Sequence, residues 1–280
     1  MLKRSLLLLS VLIMIVVVFG CNNQTSDNRS LKEIAFTERY PGKKVKSWSK
    51  VDSIDVAHFK INRNESEAWF TASGWQMTIT NISPDCLSPK VKEAMDSSFF
   101  SDWDKTACRR VERNHRQTIE IVSVERNMVK YDFFYNLDGV IYRTVNITQH
   151  TPQLSKLLPQ AVPDIVSETL QEVHPGAVIF ETDCAGDIYE LDVVHGSKGI
   201  HVVISTDNGW IQSATEINGK ANLPEAVRAA KSSKYADCMV ENVTFIQCPE
   251  YECYEIVMTD KNGYTLEAHI SPRGEIIEHQ

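Results

Sequence analysis

Residues 202–211 read VVISTDNGWI, and this stretch decides the fold. An apolar run leads into a turn at Gly209, and Trp210 opens a second apolar run. Glycine adopts the positive φ that tight hairpin turns need, because it has no Cβ atom to clash. The stretch therefore predicts two antiparallel strands joined at Gly209. The same pattern recurs, at intervals of 65 or 70 residues, around Gly74, Gly139 and Gly274.

This recurrence predicts internal repeats. Residues 158–162 (LPQAV) align with residues 223–227 (LPEAV), and Gly209 aligns with Gly274 at the same offset. The earlier part of the chain follows the same offset more loosely, with residues 69–70 over residues 134–135. We interpret the chain as a two-unit module that was itself duplicated.

Each unit begins with a helical pattern and continues with strands. Apolar residues recur on one face of residues 162–173, and Pro175-Gly176 ends that helix. In residues 188–194 apolar and polar side chains alternate, as in an antiparallel sheet covered on one face. The sequence predicts an α+β fold of four units, each a helix plus a four-stranded antiparallel sheet, with helices on one sheet face and the other face open.

A unit of about 60 residues is marginal alone, so paired units should form the folding domains. We expect one two-unit domain over residues 30–150 and a second over residues 157–280. The boundary falls in residues 149–156, where Pro152 and polar residues interrupt the pattern.

The N-terminus predicts export and a lipid anchor. Lys3 and Arg4 precede an apolar run over residues 5–19, which is shorter than the ~20 residues of a spanning helix. The run ends Val-Phe-Gly-Cys, which resembles a bacterial lipobox with Cys21 as the acylated residue. Residues 1–20 are then the signal peptide and residues 21–29 a flexible tether, with the outer membrane as the expected destination. An uncleaved signal anchor is the alternative.

Composition excludes some partners. The chain of 280 residues is 42% apolar and 24% charged, which is typical of a folded globular protein. Its formal net charge is −8, and two of its basic residues, Lys3 and Arg4, lie in the predicted leader. An acidic chain is repelled by nucleic acid, so we expect no nucleic-acid partner.

Six cysteines follow Cys21, and an exported protein meets oxidising conditions. Cys248 and Cys253 are close enough in the chain to bridge a turn, but buried thiols are an equal alternative. A zinc site is a sharper alternative, yet no Cys-x-x-Cys pair exists and no histidine spacing completes a four-ligand set. We therefore expect no metal and no cofactor.

The repeat residues resemble the PepSY-like, beta-lactamase-inhibitor-like family of exported bacterial proteins. The resemblance rests on LPQAV at residues 158–162, Pro175-Gly176, Tyr189-Glu190, DNGW at residues 207–210, and their partners in the last unit. It implies an envelope protein, frequently a lipoprotein, without assigned enzymatic activity. The namesake inhibitor grips an enzyme with a concave, aromatic-bearing sheet face, but none of its contact residues can be transferred to this chain.

Catalytic patterns are weak. Gly-x-Ser-x-Gly is absent, and residues 196–199 (GSKG) fit a loop between strands better than a nucleophile turn. Glu190 and Asp192 fit a solvated strand face. His195 and His201 flank the loop and are the best metal pair available, although a solvated hairpin pair is favoured. We expect a protein that is not an enzyme.

Aromatic side chains suggest how the protein binds. Neighbouring strand aromatics cannot all point to the core, so some should lie on the open sheet face. We expect a candidate binding face with Trp69, Trp75 and Trp210, in a noncatalytic lipid-anchored protein that binds a protein or peptide. The alternative is a structural or glycan-binding envelope lipoprotein.

Replacing Cys21 tests the anchor. We expect Cys21→Ser to move the protein from the membrane to the soluble fraction with an unchanged circular dichroism spectrum, because each buried methylene of an acyl chain contributes about 0.8 kcal/mol to membrane binding. Cys86→Ser, a cysteine of the predicted body, is the control and should stay with membranes. Membrane fractionation of Cys21→Ser identical to that of the wild type would contradict lipidation at Cys21.

Overall fold

The computed structural model describes residues 30–98, 100–149, 153–217 and 223–277. The predicted signal peptide and tether, including Cys21, lie outside the described residues. Within the described ranges the structure has two antiparallel eight-stranded sheets and four α-helices, which confirms the α+β class. No helix in these ranges is both long enough and apolar enough to cross a membrane.

The first half contains two helices and the first sheet. In chain order they are α1 (Leu31–Arg39), β1 (Ser47–Val51), β2 (Ile54–Ile61), β3 (Asn64–Thr71), β4 (Gly74–Ile82), α2 (Pro89–Asp96), β5 (Asp104–Arg113), β6 (Ile119–Arg126), β7 (Val129–Asn136) and β8 (Ile141–Asn146). Each strand pairs with its neighbours in the chain, so the sheet is a meander from β1 to β8.

The second half follows a short 3-10 helix at Leu154–Leu157. It contains α3 (Asp164–Val173), β9 (Val178–Ala185), β10 (Ile188–His195), β11 (Lys198–Ser205), β12 (Gly209–Glu216), α4 (Glu225–Lys234), β13 (Met239–Gln247), β14 (Glu252–Thr259), β15 (Thr265–Ile270) and β16 (Ile276–Ile277). These eight strands form the second meander.

The turn at Gly209 forms as predicted. Gly209 has φ +73°, in the left-handed region that disfavours a Cβ atom. Ser205 accepts hydrogen bonds at its Oγ from the backbone N–H groups of Asp207 and Asn208, each 3.1 Å long. Turn chemistry in the sequence therefore located the β11–β12 hairpin.

The two LPxAV segments differ from the sequence alignment. Residues 158–162 lie before a helix, because α3 begins at Asp164, directly after Pro163. In the last unit α4 begins at Glu225, directly after Pro224 and within the motif. Proline holds the preceding residue out of the helical region, so the last proline before each helix sets its start. The matched motifs are thus not structural equivalents.

The four helices pack against sheet residues at several points. Phe36 of α1 packs edge-on against Phe59 of β2, with ring centroids 5.0 Å apart. Met95 of α2 is fully buried, and the Tyr135 hydroxyl donates to its sulfur over 2.9 Å. In the second half Leu170 of α3 and Val227 of α4 are fully buried in clusters with sheet residues.

The opposite face of the first sheet is also buried, which differs from the expected open face. Trp69 of β3 and Phe134 of β7 share an apolar cluster with Leu157, Phe180 and Val194 from the second half. Burial on both sides is plainest in β6, where residues 119–124 are all buried. The open face was expected from the alternation in residues 188–194, and a strand covered on both faces, such as β6, need not show that alternation.

The two halves meet where β8 crosses the hairpin of β10 and β11. Gly199 on β11 approaches β8 so closely that a Cβ atom there would lie 2.3 Å from the Ile141 carbonyl oxygen. Any larger residue at this position would force the backbones apart.

A buried ion pair between Arg113 and Glu181 lies at the same junction. Nη1 of Arg113, on β5, lies 2.6 Å from Oε1 of Glu181, on β9, and donates to the Phe180 carbonyl oxygen over 2.9 Å. Tyr142 on β8 donates to the same Glu181 oxygen over 2.9 Å. Burial raises the pKa of Glu181, and the charge of Arg113 opposes that shift. Three separate strands are therefore held together by one carboxylate.

Candidate functional site

A broad cleft of about 1730 Å³ lies between the two halves. One wall is formed by the end of α2, by β7 and by β8, and the other wall is formed mainly by strands β10 to β14 of the second sheet. The cleft exists because β8 crosses one end of the second sheet and leaves much of that face uncovered.

The register of the second sheet lines this cleft with acids. Directly paired residues share a face, and Asp183 pairs with Glu190 while Glu181 pairs with Asp192. Glu216 of β12 also opens into the cleft. The lining contains seven carboxylates but only three basic side chains, those of Arg143, Lys198 and His201. The carboxylates are those of Asp138, Glu181, Asp183, Glu190, Asp192, Glu216 and Glu241. The exposed sheet face is therefore acidic, whereas the sequence suggested an aromatic one.

Some of these carboxylates already have partners. Glu181 belongs to the junction ion pair, and Asp192 is bonded to His201. Glu190 is exposed, and its Oε2 lies 3.8 Å from Nε2 of His201. Among the described residues the Glu216 side chain has neither a hydrogen bond nor an ion pair. Its side chain opens to solvent, yet the surrounding protein removes enough hydration to raise its pKa. Glu190 and Glu216 thus leave negative charge facing the cleft.

His201 is the titratable base of the cleft. Its Nδ1 lies 2.9 Å from Oδ1 of Asp192, its partner across the β10–β11 pair. Arg143 of β8 holds the other oxygen of Asp192 at 3.6 Å. The hydrogen bond to Asp192 raises the pKa of His201, and burial offsets part of that effect. Asp192 therefore joins β8 to β10 and β11 by charge.

The structure separates the histidine pair that the sequence suggested. His201 lies on the cleft face with Asp192, because both belong to one cross-strand pair. His195 instead lies beside His174, with ring centroids 5.9 Å apart, toward α3. Burial lowers the pKa of His174, whose Nε2 is 2.7 Å from the Ser213 hydroxyl. The two predicted metal ligands face opposite sides of the sheet.

The three tryptophans of the predicted binding face do not come together. Trp69 is 3% exposed and lies in the apolar cluster between the halves. Trp75 is half-buried beside α1, where the Arg39 guanidinium stacks 3.9 Å from its ring centroid. Trp210 is half-buried in the cluster under α3 and donates to the Ser213 hydroxyl over 2.9 Å. None of the three lines the acidic cleft, and a binding role for them stays a prediction.

The cysteines of the described ranges are all unpaired. Cys108 and Cys253 are buried, Cys238 and Cys248 are partly buried, and Cys86 is exposed together with Cys184. Burial raises the pKa values of the Cys108 and Cys253 thiols, which favours their protonated form. Buried thiols were one of the two arrangements left open by the sequence.

Comparison with known proteins agrees with the resemblance seen in the sequence. Residues 56–141 match the model of a family described as beta-lactamase-inhibitor-like, PepSY-like. This segment runs from β2 to the first residue of β8. The resemblance is thereby confirmed, although the motifs that suggested it lie later in the chain. The curated proteins contain no match to this chain.

Solved structures from Bacteroides are similar to parts of the chain. A DUF2874 family protein from Bacteroides ovatus is 28% identical, covers 45% of this chain and 94% of its own, and has a TM-score of 0.43. One from Bacteroides uniformis is 27% identical, with 42% and 88% covered and a TM-score of 0.40. A BLIP-like protein from Bacteroides fragilis is 25% identical, with 43% and 87% covered and a TM-score of 0.41.

The His201–Asp192 pair predicts a pH dependence of stability. Below about pH 6.5 the ring is protonated in the folded and unfolded states, so the contribution of the pair is fully present. It is lost as the pH rises through the raised pKa of the folded state. We expect the difference in unfolding free energy between the wild type and His201→Gln to be largest at acidic pH and to shrink toward alkaline pH.

Urea unfolding at a series of pH values measures this difference. The same substitution made in an Asp192→Asn background is the control and should show a weaker pH dependence, since the raised pKa comes first from Asp192. A difference that grows with rising pH would show that the pair does not stabilise the charged ring.

Proposed function

We propose that this chain is a noncatalytic, lipid-anchored envelope protein that binds a basic protein or peptide segment in the cleft between its sheets. The observation that carries the proposal is the acidic lining of the cleft, which contains seven carboxylates and three basic groups. Asp138, Glu181 and Asp183 are paired with bases outside the lining, so the charge that faces the cleft comes mainly from Glu190 and Glu216. Charge of one sign in a concave surface attracts and orients partners of the opposite sign.

The size of the cleft favours a polypeptide as the occupant. Its volume of about 1730 Å³ exceeds the roughly 300–1,000 Å³ of pockets that enclose small molecules. Apolar and aromatic side chains such as Phe100, Tyr131 and Val257 line it beside the carboxylates. A partner with alternating basic and apolar residues would satisfy both kinds of surface.

The second half would be the binding half. We infer that the two halves are copies of one two-unit module, in which only the second kept an uncovered sheet face. The elements support this view, because a helix precedes four strands four times in chain order. The first sheet lost its open face to the cluster of Trp69, Phe180 and Val194. Docking of the first half then supplies the far wall of the cleft.

Lipidation at Cys21 would place the module at a membrane, most simply the outer membrane. The polar residues 21–29 would let the folded body stand away from the lipid. Net negative charge also opposes contact with an anionic surface. A binding module held in this way searches for partners within a short distance of the membrane.

A glycan is the alternative occupant, and one cluster favours it. Phe100, Trp103 and Tyr131 pack together with ring centroids 4.9 to 5.9 Å apart, and Phe100 and Tyr131 line one end of the cleft. Aromatic faces beside carboxylates also suit sugar rings. The two occupants differ in charge, so their responses to neutralised carboxylates differ.

Binding of labelled peptides tests the proposal. The full chain in detergent should bind a Lys/Arg-rich peptide with apolar residues more tightly than an acidic peptide of equal length, as measured by fluorescence anisotropy. The double variant Glu190→Gln/Glu216→Gln should weaken binding of the basic peptide by about 1 kcal/mol, or roughly fivefold in affinity, at low salt. Added salt should shrink that difference by screening.

Glu172→Gln is the matched control, since Glu172 is exposed on α3, outside the cleft lining. Its peptide affinity should equal that of the wild type. Equal binding of basic and acidic peptides, or equal losses in Glu172→Gln and the double variant, would contradict the proposal. If a neutral oligosaccharide bound the wild type and the double variant with equal affinity, the glycan would be favoured instead.

A further inference from the structure

A second group of ionisable side chains lies outside the cleft lining, on β14 and β15. Glu255 on β14 is directly paired with His269 on β15. Glu267 lies two residues before His269 on the same strand, and successive residues alternate between faces, so all three share one face of the sheet. The strand register brings these side chains together independently of any loop.

The three donor atoms lie close to one another. Nε2 of His269 is 3.3 Å from Oε2 of Glu255 and 3.3 Å from Oε1 of Glu267. All three atoms lie within 4.8 Å of one another. Glu255, Glu267 and His269 form the only such group with three candidate metal ligands in the described ranges.

These separations match a metal coordination sphere. Zinc bonds to imidazole nitrogen and carboxylate oxygen are about 2.0–2.2 Å long, so neighbouring ligands of a tetrahedral ion lie about 3.3–3.5 Å apart. The two distances from His269 fall at this value. The two carboxylate oxygens lie within 4.8 Å of each other, so all three donor atoms are within reach of one ion.

The charge and burial of these three side chains also favour a bound metal ion. The His269 side chain is 14% exposed, whereas that of Glu267 is 57% exposed, so the group is seated in the sheet with one side open to solvent. A protonated imidazole would carry one positive charge against two carboxylates. A divalent ion would neutralise both carboxylates and leave imidazole neutral, as a ligand must be.

We propose that Glu255, Glu267 and His269 bind a first-row divalent transition metal, with Zn²⁺ as its representative. The imidazole nitrogen favours zinc, nickel or copper over magnesium and calcium, which prefer oxygen ligands alone. Three protein ligands and one open side leave a coordination position for water or for a donor atom of a partner. None of the three residues lines the acidic cleft, and metal binding by them does not depend on peptide binding.

The amino-acid order hides this site. Glu267 and His269 are two residues apart, which is a strand spacing, and Glu255 comes from the preceding strand. Compact zinc motifs place ligands on one turn or one helix, and the expectation of no metal was based on such spacings. Only the pairing of β14 with β15 supplies the third ligand.

Zinc binding to the full chain in detergent tests the proposal by equilibrium dialysis and metal analysis. We expect His269→Gln and Glu267→Gln each to bind one equivalent less Zn²⁺ at micromolar free metal, with affinity at that site at least about tenfold weaker, since even loss of an outer partner costs that much. His58→Gln is the matched control, because His58 is a strand histidine 3.6 Å from a single carboxylate, Glu67.

Two further readouts keep the test decisive. Glu267 is more than half exposed, so Glu267→Gln should fold, and its circular dichroism and melting temperature verify that. Cobalt bound at the site should give a visible spectrum of nitrogen and oxygen ligands without thiolate charge transfer, which distinguishes it from the cysteines. Zinc stoichiometry and affinity unchanged in both variants, a thiolate spectrum, equal loss in His58→Gln, or no metal bound at micromolar concentration would each overturn the proposal.

Discussion

The buried contact of Arg113 with Glu181 holds the rest of the structure in place. Taking two charges out of water is unfavourable by several kcal/mol per ion, and their attraction offsets this only when every polar atom is bonded. Here the three guanidinium nitrogens donate to Glu181, Phe180 and Gln117, and Tyr142 donates to Glu181. The pair links β5 and β8 to β9 at the junction of the two sheets.

The cleft is a consequence of this docking. Apolar residues of the first sheet are buried in the interface with the second half, and Trp69 and Phe134 are among them. The first half therefore offers little uncovered sheet surface. The second sheet meets the first through β8, through the contact of β5 with β9, and through the shared apolar cluster. The part of its face that stays uncovered is lined with carboxylates. Asp192, held by both His201 and Arg143, lies where the junction passes into the cleft. The face of the first sheet is therefore buried at the junction, whereas part of the second sheet stays uncovered in the cleft.

Local features were predictable from the sequence, and long-range ones were not. The turn at Gly209 and the strand over residues 188–194 depend on neighbouring residues, and both are present in the structure. The helical pattern starts at residue 162, but α3 begins two residues later, at Asp164. Pro163 keeps the residue before it out of the helical region, so the helix cannot include residue 162. Arg113 and Glu181 are 68 residues apart, and neither carries a local sign of its partner. Trp69 illustrates the limit, since strand alternation suggested an open sheet face for it, whereas in the structure it is buried against residues of the second half.

A double-mutant cycle on Arg113 and Glu181 tests the central claim most directly. The free energies of unfolding of Arg113→Gln, Glu181→Gln and the double variant are measured by urea titration and compared with the wild type. Each single substitution should cost about 3–5 kcal/mol, because it leaves an uncompensated buried group. The double variant should cost less than the sum, giving a coupling energy of about 1.5 kcal/mol or more. Single effects below about 1 kcal/mol that simply add would contradict the claim that this pair joins the two sheets.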